Sequence, residues 1–136
     1  MDNTTPDIRS RIMRANKSMN THPEIQARSL IHKLGYRFRV HYKGLPGKPD
    51  IAFTKKKKAI FINGCFWHQH EIGCICTHSP QSNREYWRKK FEYNKIRDSK
   101  VHQKILDMGW SILVIWECEL IDMVNVEKKI VEFLEN

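Results

Sequence analysis

Ala27, Leu30, Ile31 and Leu34 recur at i, i+3, i+4 and i+7 behind Thr21-His22-Pro23-Glu24, a spacing and capping-box pattern that predict a helix closed by Gly35. Tyr36-Arg37-Phe38-Arg39-Val40-His41 then alternates apolar and basic side chains with period two, which predicts a half-buried strand whose other face is cationic. The loop Lys43-Gly44-Leu45-Pro46-Gly47-Lys48-Pro49 follows. Two short strands, about Asp50–Phe53 and Ala59–Asn63, flank the Lys55–Lys58 run, which reads as a solvated turn. After a cysteine- and histidine-rich loop from Gly64 to His78, Ser82-Asn83-Arg84-Glu85 forms a second capping box. It opens a long basic helix through about Leu106, with room for a break near Asp98-Ser99, and Gly109 ends it. Ser111–Glu117 is apolar on both faces and reads as a central buried strand. Val126, Ile130, Phe133 and Leu134 give a last helix one apolar face. The order is α-β-β-β-α-β-α, uninterrupted by repeats or a low-complexity linker.

The first 20 residues differ in kind. Arg9, Arg11, Arg14 and Lys17 surround only Ile8, Ile12 and Met13 as sizeable apolar groups, so residues 1–20 are read as a basic arm and residues 21–136 as one domain. A length of 136 residues allows little more, at about 150 per domain. Lys and Arg number 24 against 15 Asp and Glu, and 24 − 15 = +9. That excess favours a polyanionic partner, nucleic acid first and an anionic membrane surface second. The longest apolar stretches, Ala59–Ile62 and Ile112–Trp116, fall far short of the roughly 20 residues a bilayer span needs. The N-terminus lacks the apolar segment of a signal peptide, so a reducing cytosol is the expected compartment and the four cysteines are read as metal ligands ahead of disulfides.

Two clusters carry chemistry. Pro49-Asp50 opens a strand whose neighbour runs into Cys65-Phe66-Trp67-His68. A carboxylate on one strand and polar groups at the end of the next can share a hard cation, which polarises a phosphoryl oxygen and activates water. An aspartate after proline is also a common turn residue, and the second acidic residue and lysine of the Pro-Asp…acidic-x-Lys nucleases are missing. The other cluster is Cys65, His70, Cys74 and Cys76, with Cys118 far downstream. It suits tetrahedral structural zinc and offers five candidates for four places; buried thiols are the competing reading. Phe66, Trp67 and Trp87 sit among polar and basic residues, where a ring can wedge between base steps or simply pack. Arg84, Arg88, Lys89, Lys90, Lys95, Arg97 and Lys100 form either a phosphate-facing surface or a solvated helix face.

The blocks Arg9-Ser10-Arg11-Ile12-Met13-Arg14, Leu45-Pro46-Gly47-Lys48-Pro49-Asp50, Asn63-Gly64-Cys65-Phe66-Trp67-His68, Arg84-Glu85-Tyr86-Trp87 and Gly109-Trp110…Val114-Ile115-Trp116-Glu117-Cys118 resemble the very short patch repair (Vsr) DNA mismatch endonucleases over nearly the whole chain. The resemblance implies a restriction-endonuclease-like, three-layer α/β/α fold with a central mixed sheet, a structural zinc ion and a catalytic magnesium ion. It implies nicking of one strand of duplex DNA on the 5′ side of the thymine in a T·G mismatch, the product of 5-methylcytosine deamination. Asp50 matches the magnesium carboxylate and His68 the general acid/base; Glu24 and Asp98 match positions that support the site, Glu24 being equally the capping-box residue. Phe66, Trp67 and Trp87 match intercalating aromatics, Met13 a side chain entering from the minor groove, and Lys90 and Asn94 residues near the mismatched bases. Cys65, His70, Cys74 and Cys118 match zinc ligands.

Two departures stand out. Members often carry threonine and histidine where this chain has Ile62 and Asn63, which leaves the Ile62 main-chain carbonyl as a magnesium ligand and removes any role for a histidine at position 63. One residue is inserted before Cys74, so Cys76 is an alternative zinc ligand. The resemblance further implies a monomer in the bacterial cytoplasm, on mismatched double-stranded DNA rather than a membrane. It also implies a functional link to a C5-cytosine DNA methyltransferase and to mismatch-repair proteins. The rival readings are a nicking enzyme of the same fold with relaxed mismatch choice, and a non-catalytic zinc-stabilised DNA-binding module.

Overall fold

The computed structural model describes residues 21–64 and 83–136. Helix α1 (His22–Lys33) carries proline in its first turn and buries Glu24, Ala27 and Ile31. Beyond its end, Gly35 takes a φ of +93°, a left-handed conformation suited to a helix-terminating glycine. Its N–H donates to the carbonyl of His32, and that of Tyr36 to Ile31. The capping box expected here does not form, because Thr21 makes no side-chain cap bond and Glu24 turns into the protein.

The expected strand over 36–41 is reduced to β1 (Arg39–Val40), exposed at both residues. Tyr36 and Phe38 instead lean edge-on against Phe53. β1 pairs antiparallel with β2 (Ile51–Phe53), which pairs antiparallel with β3 (Lys58–Asn63). Helix α2 (Arg84–Asp107) runs unbroken through Asp98-Ser99, and its N-cap is a left-handed Asn83 with no side-chain cap bond. Glu85, assigned to a capping box by the sequence pattern, pairs with Arg88 instead. β4 (Ser111–Trp116) then lies parallel to β3, in the strand order β1-β2-β3-β4. β4 is therefore an edge strand among the described residues rather than a central one, and only Ile115 of its residues is fully buried. A 3₁₀ turn (Glu117–Ile121) leads into α3 (Met123–Glu135), capped by the Asp122 side chain on the Asn125 N–H.

Period-two alternation divides the sheet's side chains between two cores. Ile51, Phe53, Ile60, Ile62 and Ile115 meet Ala27 and Ile31 of α1 and Val126, Ile130 and Leu134 of α3. Ala59, with Phe61 and Ile112 beside it, meets Leu45 and Ile105 of α2 on the other side. Helices thus cover both faces of a mixed sheet. Lys58, nearly buried, joins the layers by donating from Nζ to the main-chain carbonyls of Phe133 and Asn136, at the C-terminal end of α3 where a cation is favoured. No described helix is long and apolar enough to cross a membrane.

One loop fixes the site. The chain from Leu45 to Pro49 passes directly over α2, and a Cβ on Gly47 would stand 2.5 Å from Val101 Cγ1. Gly47 also has a φ of +74°, so both its backbone and its lack of a side chain are required there. Pro49 is fully buried, and Asp50 follows it at the head of β2.

Candidate active site

Asp50 is held from both sides. Its main-chain carbonyl accepts from the His41 N–H at 3.2 Å, extending the β1–β2 ladder by one step. Its Oδ2 accepts from the Ile62 N–H at 2.7 Å, which fixes the carboxylate against the end of β3. Two further side chains converge on it. Glu24, 2% exposed, comes from the buried face of α1. His41 comes from the residue after β1, where a φ of +47° ends the strand; histidine is one of the few residues enriched in that conformation. One ligand atom each from Glu24, His41 and Asp50 lie within 4.8 Å of one another. His41 Nε2 stands 3.0 Å from Glu24 Oε2. Arg28, one helical turn beyond Glu24, places Nη2 2.8 Å from the same oxygen and 3.3 Å from His41 Nε2.

Burial pushes the Asp50 carboxyl from its ordinary value near 3.8 up to about 7. The Ile62 N–H opposes that rise, the charge and hydrogen bond of Glu24 add to it, and the Arg28 guanidinium opposes it. Two carboxylates side by side and partly shielded from water are costly when both ionise and share one proton more readily. A divalent cation would remove the conflict, and two carboxylates with an imidazole are a donor set that fits one.

This shift has a consequence for stability. Between pH 4 and 7 the folded protein holds a proton on Asp50 that the unfolded chain releases. The metal-free protein should therefore lose stability as the pH climbs through that window, by at most about 1.4 kcal/mol per unit from this group, and level off above it. Urea unfolding in chelator should show the slope in the native protein and its reduction in Asp50→Asn. Identical slopes in both would contradict the assignment.

The remaining sequence candidates are distributed as follows. Asp98 lies half-buried on α2 with Arg97 Nη2 3.9 Å away, outside the Glu24–His41–Asp50 group. Asn94 is buried on the same helix. The Trp87 ring stacks on Phe91 at 5.6 Å, and Lys90 Nζ stands 5.8 Å over the ring of Tyr86 and 5.9 Å over that of Trp87. Cys118 sits half-buried in the 3₁₀ turn. Trp116, two residues before it, is in register with Asn63, from which the chain runs on toward Cys65. Met13, Cys65, Phe66, Trp67, His68, His70, Cys74 and Cys76 lie outside the described residues.

His41 and Arg28 were not among the residues singled out by the sequence. The signal for Arg28 is its i+4 spacing from a buried Glu24; that for His41 is its place opposite Asp50 once Val40 pairs with Ile51.

The chain is 41% identical over 134 residues, 98% of this chain and 97% of the other, to a Type II nicking enzyme, V.XorIIP, of Xanthomonas oryzae pv. oryzae. It is 39% identical over 116 residues, 85% and 81% of the two chains, to V.NmeAIP of Neisseria meningitidis serogroup A, also a Type II nicking enzyme. It is 37% identical over 112 residues, 82% and 70% of the two chains, to the DNA mismatch endonuclease Vsr of Escherichia coli strain K12. A mixed α/β fold with a paired-carboxylate and imidazole cluster and relatives of this kind defines a strand-nicking DNA endonuclease, a hydrolase. The chain belongs to the DNA mismatch endonuclease Vsr family, whose profile matches residues 1–74.

Proposed function

We propose that the protein nicks one strand of duplex DNA on the 5′ side of the thymine in a T·G mismatch, by magnesium-dependent hydrolysis of a phosphodiester. The reading rests on the family and on one observation: Asp50 stands half-buried at the head of β2, pinned by the Ile62 N–H and joined there by the buried Glu24. Asp50 would hold the ion with the main-chain carbonyl of Ile62. The ion supplies Lewis-acid polarisation of the phosphoryl oxygen and lowers the pKa of water. His68 acts as the general acid/base on the attacking water, and Glu24 and Asp98 orient water and imidazole around it. Water oxygen bonds to phosphorus in line as the bond to the 3′ oxygen breaks; that oxygen takes a proton, leaving 3′-hydroxyl and 5′-phosphate ends.

Binding would use the basic arm, with Met13 entering from the minor groove, and Phe66, Trp67 and Trp87 as intercalating rings. The bracing of Trp87 by Phe91 suits a ring that must stay rigid while a base stacks on it. Lys90 and Asn94 would lie near the mismatched pair. A structural zinc ion would be held by Cys65, His70, Cys74 or Cys76, and Cys118. The parallel register of β3 and β4, which starts the Gly64-Cys65 segment and the Cys118 turn from the same end of the sheet, supports that set. We take the enzyme to act in the bacterial cytoplasm as a monomer on mismatched double-stranded DNA, alongside a C5-cytosine methyltransferase and mismatch-repair proteins, in a restriction-endonuclease-like fold.

A second reading, relaxed mismatch choice, is favoured by the Type II nicking enzymes among the relatives. Nicking rates on matched duplex and on every mismatch separate the two. T·G should be cut at least about tenfold faster than any other pair, since a base contact discriminates by ~1–3 kcal/mol. Similar rates on several mismatches would establish the relaxed enzyme.

A further inference from the structure

We propose that His41 is a nitrogen ligand of the catalytic ion, which makes the Asp50 centre a mixed nitrogen and oxygen site that binds manganese more tightly than magnesium. This rests on the reading of Asp50 as the ion's carboxylate. Ligands about 2.1 Å from one octahedral ion lie roughly 3 Å apart when adjacent and about 4.2 Å apart when opposite. His41 Nε2 and Glu24 Oε2 are 3.0 Å apart, and all three donor atoms fall within 4.8 Å. The three donors arrive from different elements, α1, the end of β1 and the head of β2, so they converge by tertiary structure rather than local sequence.

The hydrogen bonding at His41 points the same way. Nε2 faces a carboxylate oxygen of Glu24 at 3.0 Å and Nη2 of Arg28, which only donates, at 3.3 Å. One ring nitrogen cannot satisfy both: protonated, it opposes the guanidinium, and unprotonated, it opposes the carboxylate. A cation on Nε2 would use its lone pair, face the Glu24 carboxylate and take the place that Nη2 holds between them. A histidine here also offers an imidazole near Asp50 in a chain whose β3 ends in Asn63 rather than histidine. Imidazole raises affinity for first-row transition ions over magnesium, which prefers oxygen throughout.

The test uses the full-length, zinc-replete protein with manganese and magnesium as probes. Titration gives affinities, and electron spin-echo envelope modulation on the manganese form reads nitrogen at the ion. His41→Asn is the variant of choice because asparagine accepts the left-handed backbone that His41 adopts. Native protein should show imidazole nitrogen modulation, shifted when its histidines carry nitrogen-15. His41→Asn should lose that modulation and about tenfold in manganese affinity, with magnesium affinity changed by less than about threefold. Persistent modulation, or an unchanged manganese preference, in His41→Asn would overturn the proposal while leaving Asp50 in place. Undiminished binding of both ions by Asp50→Asn would instead remove Asp50 from the site.

Discussion

Asp50→Asn should lower the nicking rate by about 10³-fold or more, on the order of 4 kcal/mol in the barrier, and leave affinity for mismatched duplex within a few-fold. Asparagine is nearly isosteric, so the Ile62 N–H keeps an acceptor and the β2–β3 end should hold its shape. What disappears is the negative charge, and with it most of the attraction for a divalent ion. The same change should raise the stability of the metal-free protein above pH 7, because it deletes a carboxylate that is costly to ionise beside Glu24. Gain of stability with loss of catalysis is the signature of a residue kept for chemistry. A variant that nicks at near-native rate, or that fails to bind mismatched DNA, would remove Asp50 from the catalytic centre.

Cys118→Ser should release the structural zinc and cost several kcal/mol, on the order of 3 or more, because the binding energy of such an ion is folding energy. The 3₁₀ turn that carries Cys118 bridges β4 and α3, whose Leu120, Val126, Ile130 and Leu134 form much of one core. The loss should therefore be global and visible in thermal unfolding. Two neighbouring histidines should divide by role. His70→Ala should lose zinc as Cys118→Ser does. His68→Ala should keep zinc, unfolding temperature and mismatch binding, yet nick ~10²–10⁴-fold more slowly. Elemental analysis finding no zinc in native protein purified without chelator would remove this site altogether.

The sequence exposed the packing more readily than the site. Ala27 and Ile31 of α1 and Val126, Ile130 and Leu134 of α3 announce themselves by spacing, because one apolar stripe per helix is all that a flanking layer needs. The stretch over 111–117 reads as central, whereas among the described residues it lies at an edge: residues apolar on both faces report helices above and below the sheet, and say nothing of whether a second strand lies alongside. Glu24 was ambiguous for a related reason. The Thr-x-x-Glu pattern is the same whether the carboxylate bends back to its own helix start or, as here, turns inward to Arg28 and His41. Asp50 stood out through Pro49 and the strand after it, whereas His41 reaches it only through the β1–β2 pairing across a loop that Gly47 and Val101 shape. A non-glycine residue at a φ of +47° leaves no mark in composition or periodicity.

An ion-dependent nick in one defined strand is the activity expected of the Asp50 centre. A T·G duplex labelled at the 5′ end of each strand in turn, incubated with the native protein in magnesium and in chelator and resolved on a denaturing gel, measures it directly. One product is expected, cut immediately 5′ of the mismatched thymine, with a 3′-hydroxyl end, in magnesium only. Cleavage of both strands, cleavage undiminished in chelator, or no cleavage beside the thymine would contradict it.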